Sequence, residues 1–263
     1  MAMRTPDFLS CLLLSVLALA TPVQALQCSA QSAKTTTALV ELYTSEGCDS
    51  CPPADRWLSS LGARGYTPDR VVPIALHVDY WDYIGWKDPY AKQIFSARQR
   101  KMASLARAAF VYTPQVLLQG RDFRGWGSGG FDLEVAKINS LPAKARISLL
   151  LDTRRGDAFD VAADVDLLDV LQQADAALYL GTYESKLVSE VKAGENRGKT
   201  LPHDYVVLEW AGPLEFKAAR LAARRTLPLL PKAVPGHSGV VAFVQNRATG
   251  EVLQALMLPA CPG

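Results

Sequence analysis

The sequence feature that most constrains the fold is a C-x-x-C motif between an apolar run and an amphipathic one. The apolar run, residues 38–43 (ALVELY), has the length and composition of a buried strand. A short turn follows, then residues 48–51 (CDSC), two prolines and apolar residues at helical spacing from Ala54 to Leu61. Prolines are tolerated in a first helical turn because those amides lack partners within the helix. The pattern therefore predicts two cysteines at the N-terminus of a helix that directly follows a strand.

Cysteines in this position have a specific chemical use. The amides and dipole of a helix N-terminus stabilise a thiolate and lower the thiol pKa. The thiolate nearer to solvent attacks a disulfide, and its neighbour resolves the mixed disulfide. By position, Cys48 is the attacking thiol and Cys51 the resolving one. Asp49 between them acts the other way, because a nearby negative charge disfavours a thiolate.

The N-terminal residues have the pattern of an export signal. Arg4 supplies a positive charge, and residues 8–20 form a thirteen-residue apolar run, too short for the roughly 20 residues of a membrane span. Residues 23–25 (VQA) form a cleavage site, with residues 18–20 (ALA) as the alternative. We therefore expect residues 1–25 to be a signal peptide, and the mature protein to be periplasmic or secreted without a membrane anchor.

If the protein is exported, its cysteines are also expected to form disulfides. Of the five in the chain, Cys11 lies in the predicted signal peptide, which leaves Cys28, Cys48, Cys51 and Cys261. An even number in an oxidising compartment indicates disulfides. Of the three pairings, spacing favours a bridge within the C-x-x-C motif. The other two cysteines would then join the ends of the mature chain, a structural link that stabilises by a few kcal/mol.

Composition narrows the class of protein. The chain has 263 residues, of which 49% are apolar and 21% charged, as in a globular protein. Its 28 basic and 26 acidic residues give a formal charge of +2. This balance gives no reason to expect a nucleic acid or a membrane surface as partner.

The first half of the mature chain alternates strand and helix patterns. A second buried strand is predicted at residues 71–78, and Asp88-Pro89 have the N-cap and N1 residue types for a helix reaching about Ala109. A strand at residues 115–118, a hairpin and a helix at residues 131–138 follow. This order predicts a mixed sheet flanked by helices.

After Pro142 the pattern changes to short strands separated by turn residues, typical of an antiparallel β domain. The strand-like runs are residues 147–152, 159–165, 176–183, 205–210, 239–245 and 252–258. We therefore divide the mature chain into three parts. Residues 26–37 are a polar lead-in, residues 38–143 an α/β domain, and residues 144–263 a C-terminal β-rich domain.

The polar and aromatic residues that follow the second predicted strand have more than one interpretation. If the first two strands are parallel neighbours, then His77, Asp79 and Trp81 lie near Cys48, because ligands gather at the carboxyl ends of strands. His77 is then a thiolate partner or a metal ligand. The alternative, which we favour, is a hydrogen-bonded core histidine beside a packing cluster of aromatic residues. His203 is expected to be structural or exposed.

The helix predicted from residue 89 to residue 107 carries cations without acids: Lys92, Arg98, Arg100, Lys101 and Arg107. This pattern is typical of a solvated face, and it is suited to steering an acidic partner.

The order of strand, C-x-x-C, helix, strands and hairpin resembles the thioredoxin-like fold. So does Thr113-Pro114 directly before a hairpin strand, where thioredoxin-like proteins place a cis-proline facing the dithiol and aligning the substrate. One departure is visible. No tryptophan precedes Cys48, and Asp49-Ser50 replaces the usual Gly-Pro, so the redox potential of thioredoxin does not carry over.

The chain resembles more closely an uncharacterised secreted bacterial family, domain of unknown function 1223. The motifs that carry this resemblance are ELYTSEGCDSCPPAD (41–55), HVDYWDYIGWKDPYA (77–91), FSARQR (95–100), VYTPQ (111–115), GENRG (194–198) and LPHDYVV (201–207). The resemblance spans nearly the whole mature chain. It implies a fold and a dithiol, and no reaction.

Three functions fit these features. The leading hypothesis is an exported thiol–disulfide oxidoreductase that acts through Cys48 and Cys51 on a protein or a small thiol, with no cofactor beyond its own disulfide. The second is a periplasmic Cu(I)-handling protein that uses the same cysteines and His77, since thiolates suit Cu(I). The third is a binding module in which the Cys48–Cys51 bridge is only structural, with a reduction potential below about −300 mV.

Overall fold

The computed structural model describes Met1 and residues 27–261 of the chain, which has a mixed α/β fold. Apart from Met1, the predicted signal peptide and its two cleavage sites lie outside the described residues. The helices are α1 (Pro52–Ser60), α2 (Gln93–Leu105) and α3 (Gly130–Ser140), with 3-10 turns at Asp79–Ile84, Val170–Gln172 and Pro235–His237. No helix of the described part is long and apolar enough to cross a membrane.

Strands make up most of the remaining structure. Those before residue 143 are β1 (Gln27–Gln31), β2 (Ala38–Thr44), β3 (Val71–His77), β4 (Gln115–Leu118) and β5 (Arg121–Asp122). Those after it are β6 (Ala145–Asp152), β7 (Ala158–Leu167), β8 (Ala176–Glu184), β9 (Leu187–Glu190), β10 (Thr200–His203), β11 (Val206–Glu215), β12 (Arg220–Pro228), β13 (Ser238–Asn246) and β14 (Val252–Pro259). All six strands predicted after Pro142 are present. β1, β9, β10 and β12 were not predicted, and β1 lies within the expected lead-in.

An eight-stranded mixed sheet forms the centre of the molecule, in the order β14-β13-β8-β11-β3-β2-β4-β5. β3 runs parallel to both β2 and β11, and the other neighbouring strands are antiparallel. Every residue of β2 and β3 is buried, which explains their nearly continuous apolar sequences. Val40 and Leu42 face α1 and α3, whereas Leu39 and Tyr43 face α2 on the opposite side.

A second, antiparallel sheet in the order β1-β6-β7-β12 packs against the β8, β13 and β14 end of the central sheet. The predicted disulfide between Cys28 and Cys261 is present, and it joins β1 to the segment after β14.

The central sheet continues across the predicted boundary at residue 143. β11, β8, β13 and β14 come from the second half of the chain and extend the sheet begun by β2 and β3.

The predicted start and end of the second helix are wrong. α2 begins at Gln93, with Lys92 as its N-cap, and it ends at Leu105 rather than near Ala109. Asp88 does not cap the helix because its carboxylate is engaged elsewhere. One of its oxygens lies 2.7 Å from Nδ1 of His77, and the other accepts a hydrogen bond from the Tyr90 amide.

The expectation that the basic residues of this helix form a solvated face is wrong at Arg98. Its Nε and Nη2 donate to the two carboxylate oxygens of Glu41, at 2.6 and 2.9 Å. Glu41 is fully buried in the middle of β2, where an unpaired charge would be strongly unfavourable. The arginine is therefore a structural partner of the central sheet, while Arg100 and Lys101 remain exposed.

Candidate dithiol site

The C-x-x-C motif lies where β2 leads into α1. The Cys48 amide donates to the carbonyl of Ser45, closing the turn after the strand, and Cys51 is the N-cap residue of the helix. The Cys51 carbonyl accepts hydrogen bonds from the amides of Ala54 and Asp55. Cys48 and Cys51 are joined by a disulfide, as the spacing predicted. The strand, turn and helix thus position both sulfur atoms at one end of the central sheet.

Trp81 connects this turn to the segment that precedes β4. A Cβ atom at Gly47, the residue before Cys48, would lie 3.1 Å from Cβ of Trp81, so the backbone and the side chain are in close contact. The indole Nε1 of Trp81 donates to Oγ1 of Thr113 at 2.7 Å. The Thr113–Pro114 peptide bond is cis. Trp81 therefore links the residue before Cys48 to Thr113.

Pro114 lies at the same end of the sheet. The next residue, Gln115, pairs with Tyr43 of β2, so Pro114 stands beside the end of β2 from which the cysteine turn leaves. Asp79, in contrast, is turned towards α2. Its amide donates a hydrogen bond to the hydroxyl of Ser96, and that hydroxyl donates to the Asp79 carboxylate. Of the expected supporting residues, Asp79 is thus engaged away from the cysteine turn.

His77 ends β3 directly opposite Thr44 of β2. It is fully buried, and its Nδ1 forms the short hydrogen bond with Asp88 described above. Its Nε2 has no hydrogen-bond partner within the described residues. The interpretation of His77 as a hydrogen-bonded core histidine agrees with this geometry.

A second buried histidine lies beside the first. The His77 and His203 rings are 5.0 Å apart between centroids, and Tyr90 packs edge-on against both. Nε2 of His203 lies 3.0 Å from Oε1 of Glu46, and the other Glu46 oxygen accepts from Nε1 of Trp86 at 2.7 Å. Sequence reasoning did not place Glu46 or Asp88 in this cluster, and of the two expectations for His203, structural or exposed, the buried ring fits the first. The available signal was their position in the quoted family motifs.

Burial and charge set the protonation of this cluster. Burial lowers the pKa of His77, but the carboxylates of Asp88, Asp55 and Glu46 together raise it above its ordinary value. Burial raises the pKa of Asp88, but His77 and the hydrogen bonds donated by the amides of Glu46 and Tyr90 together hold it below its ordinary value. Burial raises the pKa of Asp55, against the attraction of His203 and His77. Buried groups with shifted pKa values therefore lie around the start of α1.

The disulfide itself is covered. Cys48 and Cys51 are each 0% exposed, although Asp49 and Ser50 between them are exposed. Residues 194–198 (GENRG), which lie between β9 and β10 and which we call the cover segment, bond the backbone of the motif. It is one of the quoted motifs, and nothing in its sequence alone predicted contact with the cysteines.

Two residues of the cover segment bond the motif directly. Nδ2 of Asn196 donates to the carbonyl oxygens of Glu46 and Cys48, each at 2.8 Å. The amide of Asp49 donates to Oε2 of Glu195 at 3.0 Å. The described part of the chain contains no group of three or more His, Cys, Asp or Glu residues arranged to hold a metal ion.

Comparisons with known proteins agree on a family and on a fold. A family model described as a protein of unknown function (DUF1223) matches residues 39–245. A crystal structure of a protein from Agrobacterium tumefaciens is similar, with 23% identity and a TM-score of 0.62, covering 88% of this chain and 98% of that one. HBP35 of Porphyromonas gingivalis has 14% identity and a TM-score of 0.64, covering 87% of this chain and 76% of its own. At these identities the two structures show a shared fold alone. No curated protein matches the sequence significantly.

Proposed function

The chain belongs to the family of unknown function DUF1223, and from that premise we propose that it is an exported, thioredoxin-like thiol–disulfide oxidoreductase. The observation that carries the proposal is the Cys48–Cys51 disulfide at the N-terminus of α1, directly after a central strand. A helix N-terminus stabilises the thiolate that attacks or leaves in disulfide exchange.

The surroundings of the motif support the same chemistry. Reduction of one disulfide to two thiols takes up two electrons and two protons. Burial raises the pKa of Asp55, whose backbone amide donates a hydrogen bond to the Cys51 carbonyl. His77 and Asp88 lie in the same cluster and hold a proton between them. Protonatable groups are thus placed behind the dithiol, as proton uptake and release require.

In the proposed reaction, the Cys48 thiolate attacks a disulfide of the substrate, forming a mixed disulfide and releasing one substrate thiolate. Cys51 then attacks the Cys48 sulfur, and the second substrate thiolate leaves as the motif becomes oxidised. Thr113 and Pro114 flank the motif and align the substrate chain. The partner is a protein disulfide or the disulfide of a small thiol, and the reaction needs no further cofactor.

Trapping the mixed disulfide tests this assignment. In Cys51→Ser, the free Cys48 should take up one glutathione from oxidised glutathione, and the adduct should persist because the resolving thiol is absent. The matched variant Cys48→Ser, which retains the cysteine that begins α1, should take up far less. Intact-mass spectrometry reads both. Absence of the adduct from both variants after long incubation would contradict the proposal.

One observation favours a different function. Both cysteines are 0% exposed, as expected for a structural disulfide in a binding protein. That function predicts a bridge that resists reduction, with a potential below about −300 mV. The Cu(I)-handling alternative predicts tight copper binding that Cys48→Ser abolishes, without exchange activity. Each alternative is therefore distinguished by measurements on the same variants.

A further inference from the structure

The cover segment, residues 194–198, has features of a removable occupant of the dithiol site. Asn196 is 0% exposed, yet its neighbours Glu195 and Arg197 are exposed. Oδ1 of Asn196 also accepts a hydrogen bond from Nζ of Lys199 at 2.8 Å, a bond between the segment and the start of its own base. The other close approach is at Gly194, where a Cβ atom would lie 3.0 Å from Cδ1 of Ile84. Few buried contacts therefore oppose release of the loop tip. Gly194 and Gly198, both with positive φ, form the corners of the loop.

The base of the loop is fixed independently of the motif. The amide of Val191 donates to the carbonyl of Lys199 at 3.0 Å, and the amide of Gly198 donates to the carbonyl of Val191 at 2.9 Å. β9 and β10 pair antiparallel next to these bonds. The tip of the loop can therefore leave the cysteines while its base stays in place.

The three hydrogen bonds to the motif form a recognisable pattern. Asn196 supplies an amide donor to the carbonyls of Glu46 and Cys48, and Glu195 supplies an acceptor to the amide of Asp49. An extended polypeptide carries the same groups, since its backbone offers N–H donors and C=O acceptors. A small thiol without amides offers neither.

The cover segment also places a negative charge beside the motif. The Glu195 carboxylate accepts a hydrogen bond from the amide of Asp49. The side chain of Asp49 is a second carboxylate, next to Cys48 in sequence. A nearby negative charge disfavours a thiolate, so a thiolate on Cys48 and a seated Glu195 oppose each other. The closed arrangement therefore suits the neutral disulfide better than the reduced motif.

We propose that Glu195 and Asn196 are access- and specificity-determining residues, and that the reactant that displaces them is a thiol-bearing polypeptide segment. This inference rests on the proposed function. In the step concerned, the reactant thiolate bonds to Sγ of Cys48, the Cys48–Cys51 bond breaks, and Cys51 leaves as a thiolate that takes up a proton. A second reactant thiolate then attacks the reactant sulfur of the mixed disulfide, Cys48 leaves as a thiolate that takes up a proton, and the two reactant sulfurs are joined in a disulfide.

The access role is tested by the rate at which dithiothreitol reduces the Cys48–Cys51 bridge in the full mature protein. Asn196→Ala should accelerate reduction by about tenfold or more, because two hydrogen bonds that hold the loop closed are lost. Asn139→Ala is the matched control, since Nδ2 of Asn139 also donates to two backbone carbonyls, those of Thr36 and Arg70, at another place in the fold. The control should stay within about twofold of wild type.

A second variant guards against general destabilisation. Glu195→Gln keeps Asn196 and its bonds but removes the exposed charge, and it should also accelerate reduction, with less dependence on salt. Equal rates in wild type, Asn196→Ala and Glu195→Gln would overturn the access role. This test can succeed even where the proposed function fails. A purely structural bridge would still be reduced faster when uncovered, but Cys51→Ser would then form no glutathione adduct.

The substrate class is tested on the wild-type protein. A capped five-residue peptide with a central cysteine and 2-mercaptoethanol are compared at equal thiolate concentration. The peptide should reduce the bridge about tenfold faster or more, because its backbone replaces the hydrogen bonds of the cover segment. Equal rates for the two thiols would overturn the assignment of a polypeptide reactant.

Discussion

The imidazole Nε2 of His203 lies 3.0 Å from Oε1 of Glu46, the residue two positions before Cys48. The two residues are 157 positions apart in sequence, and both side chains are buried. The C-terminal half of the chain therefore contributes directly to the support of the cysteine turn. The same is true of Asn196, so the dithiol site is built by both halves together.

Removing the Glu46 carboxylate should destabilise the protein strongly. Glu46→Ala leaves Nε2 of the buried His203 and Nε1 of the half-buried Trp86 without their acceptor, and the expected loss in unfolding free energy is at least about 2 kcal/mol. Glu251→Ala is the control, because its ion pair with Lys144 is half exposed and should contribute less than about 1 kcal/mol. Urea unfolding of the oxidised proteins measures both, and equal losses would contradict the account.

The contribution of the His77–Asp88 pair should depend on pH. The raised pKa of His77 stabilises the fold fully below its unfolded value of about 6.5, and that contribution is lost as pH rises through the folded pKa. The lowered pKa of Asp88 contributes above about pH 4 and is lost as pH falls through the folded pKa. His77→Gln should therefore lose most, about 3 kcal/mol, between about pH 4 and pH 6.5. Unfolding at pH 5 and pH 9 tests this, and an equal loss at both would count against the pair.

Asp55 should show the opposite dependence from an ordinary salt-bridged carboxylate. Its pKa is raised in the folded protein, so the wild type loses stability as pH rises from about 4 through the folded pKa. Asp55→Asn lacks this loss, and its stability relative to wild type should increase between pH 4 and pH 8. Denaturant unfolding at both pH values measures the change. A relative stability that falls over this interval would show that burial does not dominate the pKa of Asp55.

The bridge between Cys28 and Cys261 should act on stability and not on the dithiol. The double variant Cys28→Ser, Cys261→Ser should lose roughly 3–5 kcal/mol of unfolding free energy, because a loop of 233 residues is opened. The glutathione exchange of the Cys48–Cys51 pair should stay unchanged under native conditions. A change in that exchange would mean that the two disulfides are coupled.

Local patterns predicted the elements whose causes are local. The apolar run of β2, the turn and the two prolines define the strand, the cysteine turn and the start of α1 within about 20 residues of sequence, and the structure has them there. Six of the nine described strands after Pro142 were equally visible, since each has its own alternation and turn residues.

The misjudged features depend on partners distant in sequence. Asp88 has the right residue type for an N-cap, but His77 binds its carboxylate, and α2 begins only at Gln93. Arg98 lies in a run of cations that is typical of an exposed helix face. It is a core residue only because it pairs with the buried Glu41. The contact of Asn196 with Cys48 spans 148 residues, a separation that local periodicity does not report.

The reduction potential of the Cys48–Cys51 pair tests the central claim most directly. The mature protein is equilibrated in glutathione buffers, free thiols are trapped, and each cysteine pair is quantified by mass spectrometry, with Cys28–Cys261 as the internal reference. The account predicts a potential between about −270 and −120 mV for the Cys48–Cys51 pair, while the reference bridge stays oxidised. A Cys48–Cys51 bridge that resists reduction to below about −300 mV, like the reference, would contradict the account and indicate a structural disulfide in a binding protein.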